Sequence, residues 1–323
     1  MMYKTLTLAL GLVSASGLFY SDNADHQLFM WNQFKQEYGR EYDAAEDASR
    51  FKVFVENLKT IDARNALEKE RIHGITKFSD LTQEEFESRF LGAKPELRTD
   101  EGNYVNHVEY TGSQSSVDWT GIYTTPVKDQ GYCGSCWAFS ATEQIESDAM
   151  RVLKTSYILS PEQVTQCTQT SSGCNGGWTE SAYNYIKNEG GLETNADYPY
   201  TSYYGKTGTC SAVKSKEVVG LTGYTTINGE TNMANYVLST GPLSVCLDAS
   251  SWNSYTGGIM TKCGNRVDHC VQAVGVNTGV NGYWKVRNSW GTSWGESGYI
   301  RLAYGQNTCD ITNDPTYVAP VLA

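Results

Sequence analysis

The chain has 323 residues, 40% of them apolar, with 36 acidic against 25 basic side chains and a net charge of −11 at neutral pH. That length suits two folded units, and that apolar fraction supplies a real core. A surface this acidic excludes nucleic acid and anionic membrane as main partners and suits a protein at work in an acidic or extracellular fluid.

The chain opens with Lys4, an apolar run over residues 6–13, and the small residues Ser14, Ala15, Ser16 and Gly17. So short a run cannot span a bilayer, which takes roughly 20 apolar residues. It reads as a secretory signal cut after Ala15 or Gly17, with residues 1–17 removed. No second apolar stretch approaches that length, so the mature product is expected to be soluble. Residues 25–92 are charged and helical in character. Leu28, Trp31, Phe34 and Tyr38 recur at three- and four-residue steps, the mark of an amphipathic helix. A longer helix follows, in which Glu46, Arg50, Phe54, Asn57, Ile61 and Asn65 share one face. By periodicity alone that face is an ordinary half-buried stripe. Over residues 94–116 the chain turns polar and loses its period, as an exposed linker would.

From Val117 onward Tyr and Gly become dense, and β-prone runs occur at residues 217–220, 243–247 and 283–286. One helical pattern covers residues 135–153, with Trp137, Ala141, Ile145, Ala149 and Val152 on one side. A helix-rich half and a strand-rich half predict an α+β enzyme. All nine cysteines lie between Cys133 and Cys309. In a secretory chain they imply disulfides, and an odd count leaves at least one sulfur free or paired outside the chain.

The chemistry concentrates around Gln130, Cys133, Cys136, Trp137 and Ser140. Cys136 is predicted at the N-terminus of a helix, where the macrodipole favours a thiolate. That thiolate needs a cationic partner. The histidines are His26, His73, His107 and His269, and the first three precede Val117. If the helical half is removed, His269 is the imidazole left to serve Cys136. Asn288 is the candidate to orient it, accepting the ring N–H, with Trp290 shielding that bond from water. The amide of Gln130, with the backbone N–H of Cys136, is placed to form an oxyanion hole.

These residues resemble the papain family of cysteine proteases, in particular its cathepsin L-like branch. The run Cys133-Gly-Ser-Cys136-Trp137 matches the family's nucleophile block, and His269 and Asn288 follow Cys136 by 133 and 152 residues. That motif and a spacing close to this one are the family's widely known signature. The face from Glu46 to Asn65 matches the branch's propeptide pattern at all six positions. Residues 74–80 resemble its second propeptide motif, with Thr76 where Asn is usual. Val117, Asp118 and Trp119 look like the start of the mature enzyme. The resemblance implies an inhibitory propeptide over residues 18–112 and a mature peptidase over residues 113–323. It further implies a helical and a β-rich domain meeting at a cleft, with the propeptide running through it against the substrate direction. Acid is expected to weaken that docking as carboxylates are protonated.

By the same resemblance the expected disulfides are Cys133–Cys174, Cys167–Cys210 and Cys263–Cys309. Cys246 and Cys270 then remain beside the main specificity pocket, either as two buried thiols or as a fourth disulfide on its wall. Trp178, Thr179, Val267 and Asp314 complete that pocket. At its floor Asp314 would favour Arg or Lys; alternatively it points to solvent or caps the turn before Pro315. Gly176 and Gly177 are expected to hold extended substrate backbone, since without Cβ they allow close approach. The departures are a segment between Trp119 and Pro126 about one residue short, and Asp310 where Gly is common. No carboxydipeptidase loop or paired histidines occur, so an endopeptidase is expected, acting as a monomer on protein and peptide substrates and open to cystatin-like inhibitors. The rival readings are a non-catalytic binding relative, peptide ligation by the same thioester chemistry, and a metal site. The sulfurs lack paired zinc-ligand spacing and His269 stands alone, so no cofactor or metal is expected. The absence of an Asn-X-Ser/Thr sequon removes the acceptor for glycan-based lysosomal sorting and favours a digestive or extracellular destination.

Overall fold

The computed structural model describes residues 19, 20, 22–99 and 101–323, so the expected signal segment lies outside the described residues. Helices α1 (Ala24–Tyr38) and α2 (Ala44–Asn65) begin at Asn23 and Asp43, whose side chains accept backbone N–H groups of the first turn. Their apolar faces form a small core of Met30, Trp31, Phe34, Phe54, Leu58 and Ile61. Leu28, expected on that stripe, is 48% exposed. Helix α3 (Gln83–Phe90) starts with a reciprocal capping box between Thr82 and Glu85.

The shared face of α2 holds the segment that follows it. Asn57 donates to the carbonyls of Ser79 and Leu81, both at 2.9 Å. Asn65 brackets Ile72 and His73 with three hydrogen bonds. Arg50 meets Glu85 at 2.6 Å. The stripe is therefore a row of polar clamps on backbone, more than the half-buried apolar face that periodicity suggests. Thr76, where Asn is usual, donates its hydroxyl to the carbonyl of Asn253.

The remaining helices are α4 (Cys136–Asp148), α5 (Pro161–Cys167), α6 (Thr179–Glu189) and α7 (Glu230–Ser239). Every side chain of α4 is buried. It widens into one π-type turn at Ala149–Leu153, which breaks the phase of the stripe and leaves Val152 47% exposed.

Among the described residues nine strands form one sheet: β1 (Asn103–Val105), β2 (Ser116–Asp118), β3 (Val219–Ile227), β4 (Leu243–Leu247), β5 (Ile259–Met260), β6 (His269–Asn277), β7 (Tyr283–Arg287), β8 (Tyr299–Ala303) and β9 (Thr316–Leu322). Their order is β1-β3-β9-β4-β6-β7-β8-β5, with β2 also paired to β6. The strand expected at residues 217–220 starts instead at Val219 and runs on to Ile227. The expected linker is not free. Pro95–Leu97 makes a tight turn, and β1 pairs parallel to β3, which gives its backbone partners that an exposed coil would seek in water.

Four disulfides staple the enzyme part: Cys133–Cys174, Cys167–Cys210, Cys246–Cys270 and Cys263–Cys309. Cys246 and Cys270 face each other in the antiparallel register of β4 and β6. Cys136 is left as the free cysteine. Asp310, where Gly is common, has φ +59°, a left-handed conformation that glycine adopts without strain. Here its carboxylate accepts from the amides of Asn307 and Asn313, a local compensation.

Candidate active site

Cys136 is the first residue of α4 and is wholly buried. His269 opens β6, and Asn288 follows the end of β7, so the two lie on adjacent, hydrogen-bonded strands. His269 Nε2 is 2.8 Å from Asn288 Oδ1, which also accepts the N–H of Ser289. His269 Nδ1 is buried without a hydrogen-bond partner among the described residues. The Trp290 ring centroid lies 4.8 Å from that of the imidazole, with the planes 31° apart.

Burial pushes the Cys136 thiol up to about 11, although the N–H groups of Cys270, Gly92 and Trp137 at its sulfur oppose that shift. Burial likewise pulls His269 down to about 4, against the bond to Asn288. Both groups are held toward their neutral forms, as expected where a cleft is sealed from water.

Residues 90–99 provide the seal. Gly92 passes so close that a Cβ there would sit 1.9 Å from the carbonyl oxygen of Gly134. The Gly177 N–H donates to Gly92 at 2.9 Å, and Gly177 in turn accepts from the Lys94 N–H at 2.9 Å. These bonds form a parallel bridge between Ala93 and Gly177. Asp268 accepts the Ala93 N–H. Gly176 has φ +115°, and a Cβ on Gly177 would meet the Trp137 ring at 2.5 Å, so both positions require glycine. The Gln130 amide donates to the carbonyls of Cys133 at 2.8 Å and Phe90 at 3.1 Å, so the carbonyl at the end of α3 occupies the donor expected for the oxyanion. Open hollows lie elsewhere, for example among Tyr38, Arg40, Lys77, Asp129 and Tyr132.

Trp178, Cys246 and Cys270 share a core cluster with Ala93, and Val267 and Leu97 pack against it. Thr179 Oγ1 lies 3.9 Å from Cys246 Sγ and 3.4 Å from Asp314 Oδ2. Asp314 does not point to solvent; it is fully buried, and Arg98 Nη2 lies 3.4 Å from its Oδ1. Burial pushes its carboxyl up to about 6, with Arg98, Thr179 and Trp178 opposing. Sequence reasoning missed two acids here, Glu180 and Asp268. Each adjoins a residue it did find, Thr179 and His269, but nothing in the sequence separates them from the rest of the 36 acidic side chains. Among the described residues no cluster could hold a metal ion and no helix is long and apolar enough to cross a membrane.

The papain family cysteine protease domain matches residues 113–319, and the cathepsin propeptide inhibitor domain (I29) matches residues 31–86. Cathepsin L 2 of Paramecium tetraurelia is 36% identical over 305 residues, covering 91% of this chain and 92% of the relative. Digestive cysteine proteinase 1 of Homarus americanus is 38% identical over 307 residues, covering 89% and 93%. The digestive procathepsin L2 proteinase from Tenebrio molitor larval midgut superposes with a TM-score of 0.80 at 30% identity, over 91% of this chain and 99% of that one. With its inhibitor domain and its peptidase domain on one chain, the protein belongs to the papain family of cysteine proteases and is a cysteine endopeptidase with a cathepsin-type propeptide.

Proposed function

We propose that Cys136 is the nucleophile of this endopeptidase, His269 its base and acid, Asn288 the group that orients the imidazole, and Gln130 an oxyanion donor. Once the propeptide leaves, water re-enters the cleft and the desolvation that holds the pair neutral is relieved. The thiol proton then passes to His269 Nδ1. The thiolate attacks the scissile carbonyl carbon, and the oxyanion takes the Gln130 amide now held by Phe90, together with the Cys136 N–H. His269 returns its proton to the leaving amine, giving a thioester. Water, deprotonated by His269, releases the acid and restores the thiol. The observation that carries this reading is the 2.8 Å bond from Asn288 to Nε2, which commits that nitrogen and leaves Nδ1 unpartnered.

The substrate is read as lying antiparallel to Gly177, with Gly176 and Gly177 on its backbone and Trp290 flanking the leaving side. The pocket of Trp178, Thr179, Val267, Cys246, Cys270 and Asp314 takes the second residue before the scissile bond, and Asp314 favours Arg or Lys there. The inhibitory strand lies parallel to Gly177, so its peptide bonds are presented backwards, which accounts for a propeptide that fills the cleft uncut. We place its removal near residue 112, after loss of residues 1–17, in an acidic secretory, extracellular or lysosome-like compartment. The mature product is read as a monomer, open to cystatin-like inhibitors in the same cleft.

The test is hydrolysis of the fluorogenic dipeptides Phe-Arg and Arg-Arg by acid-activated protein under reducing conditions, beside Cys136→Ala. Activity is expected with the wild type and a loss of at least about 10⁴-fold in the variant. Residual hydrolysis near wild type in Cys136→Ala would overturn the assignment.

A further inference from the structure

Asp314 is not the sole carboxylate at the end of this pocket. Glu180, in the first turn of α6 and adjacent to Thr179, is also fully buried. Arg98 reaches both: its Nε is 3.8 Å from Glu180 Oε1, and its Nη2 is 3.4 Å from Asp314 Oδ1. Its Nη1 donates to the carbonyl of Asn313 at 3.1 Å. Glu180 Oε2 accepts the N–H of Thr99 at 2.6 Å. The pocket is thus bounded by a pair of acids and holds a guanidinium supplied by the chain itself.

We propose that Glu180 and Asp314 form a two-carboxylate clamp for the guanidinium of a substrate arginine, that Glu180 is a specificity-determining residue, and that Arg98 occupies the clamp as an internal mimic until activation. This rests on the reading of Asp314 as the pocket floor.

Three observations carry it. Glu180 Oε1, Asp314 Oδ1 and Arg98 Nε are buried yet make no hydrogen bond. At 3.4 and 3.8 Å the guanidinium sits loosely between the two acids, short of the hydrogen bonds that a substrate arginine would make there. Next, two carboxylates cannot both stay ionised in one dry site without a cation. The Glu180 carboxyl is pushed up to about 7 by burial and by Asp314, so the clamp needs an occupant to keep its charge. Finally, the walls suit an arginine stem. Ala93, Trp178, Cys246 and Cys270 belong to one buried apolar cluster, and Leu97 and Val267 pack against it, giving apolar surroundings with charge at their end. A guanidinium offers five N–H donors in a planar fork, which two carboxylates satisfy better than one.

The test compares Arg-Arg and Phe-Arg substrates, which differ only in the residue the pocket takes, on activated wild type, Glu180→Gln, Glu180→Asp and Asp314→Asn. Glu180→Gln is expected to lower kcat/KM for Arg-Arg by about tenfold, chiefly through KM, and to leave Phe-Arg within about twofold. Glu180→Asp is expected to keep part of the Arg-Arg activity. Phe-Arg turnover reports correct folding in each variant. Equal losses on both substrates, or none on either, overturn the role of Glu180. Wild type that cleaves Phe-Arg but not Arg-Arg sinks the pocket-floor reading itself, and Asp314→Asn losing Arg-Arg while Glu180→Gln keeps it removes Glu180 alone. An arm independent of Glu180 uses the full zymogen: Arg98→Gln is expected to speed its processing by about threefold to tenfold and Arg98→Lys to restore much of the delay. Equal rates for all three chains would show that Arg98 is not a latch.

Discussion

The prosegment holds the enzyme at two places, and the chemistry of the two differs. The globular part docks with polar and charged side chains of both signs: Glu68 accepts from the Thr261 and Lys262 N–H groups, and Glu87 meets Arg266 at 2.6 Å. Arg64 donates to Ser251, Asn253 and Ser254 of the enzyme, His73 Nδ1 lies 2.9 Å from Ser254 Oγ, and Lys77 donates to the carbonyl of Trp290. The strand in the cleft covers the enzyme's acids: Glu180 and Asp314, both buried, and Asp268, with 13% of its side chain exposed. Acid therefore acts on the two contacts through different groups.

His73 is pulled down from 6.5 to about 4 by burial and by neighbouring Arg64, so the docked state takes it neutral. Its contribution to docking is whole above its ordinary pKa and is lost as pH falls from about 6.5 toward 4. Asp268 and Glu180 are pushed up to about 7 and Asp314 to about 6, chiefly by burial. Arg98 opposes that rise at Glu180 and Asp314, so its hold on the clamp is present at neutral pH and is lost as they take protons. Under the proposed acid activation the dock loosens as His73 takes a proton, and the cleft strand as Arg98 loses its charged partners.

The comparison breaks first at Gly92. Gly92→Val forces a side chain onto the Gly134 carbonyl, and overpacking of that kind costs about 1–3 kcal/mol. Labelling of Cys136 by a thiol-reactive epoxide at neutral pH is expected to accelerate by up to about a hundredfold in the full zymogen, even with the dock intact. Labelling at the wild-type rate would show that another segment covers the sulfur.

Arg64→Met removes the charged hydrogen bonds of the dock, each worth about 1.5–3 kcal/mol. A zymogen made inert by Cys136→Ala and carrying this change is expected to be cut by added mature enzyme at neutral pH roughly tens of times faster. Full resistance would place the neutral-pH latch in the cleft alone. The smallest effect is sought at His73. His73→Leu is expected to slow self-processing about tenfold near pH 5 and leave latency at pH 7 within about twofold. An unchanged pH profile would move the sensor to another group.

Much of the site was legible because it rests on residue types that are scarce. With one histidine after Val117, counting is enough to propose His269 as the partner of Cys136, and the need for a neutral acceptor is enough to propose Asn288. The clamping face of α2 was visible as a spacing, though periodicity could not say that Asn57 and Asn65 grip backbone. Other features were hidden by abundance or by distance in the chain. Asp268 and Glu180 look like any surface acid until burial is known. The residues after Lys94 looked like linker, since their hydrogen bonds go to Gly177 and Asp268, far away in sequence.

Sequence alone determined the proposed reactive groups, the helix that begins at Cys136, the two-part organisation and the family. These follow from side-chain chemistry and from periods of a few residues, both of which are local. Tertiary structure decided that Cys246 and Cys270 are joined, because that depends on the register between β4 and β6. It decided that Asp314 turns inward to Arg98, and that the inhibitory strand runs parallel to Gly177. Register, burial and strand direction are set by contacts between distant segments.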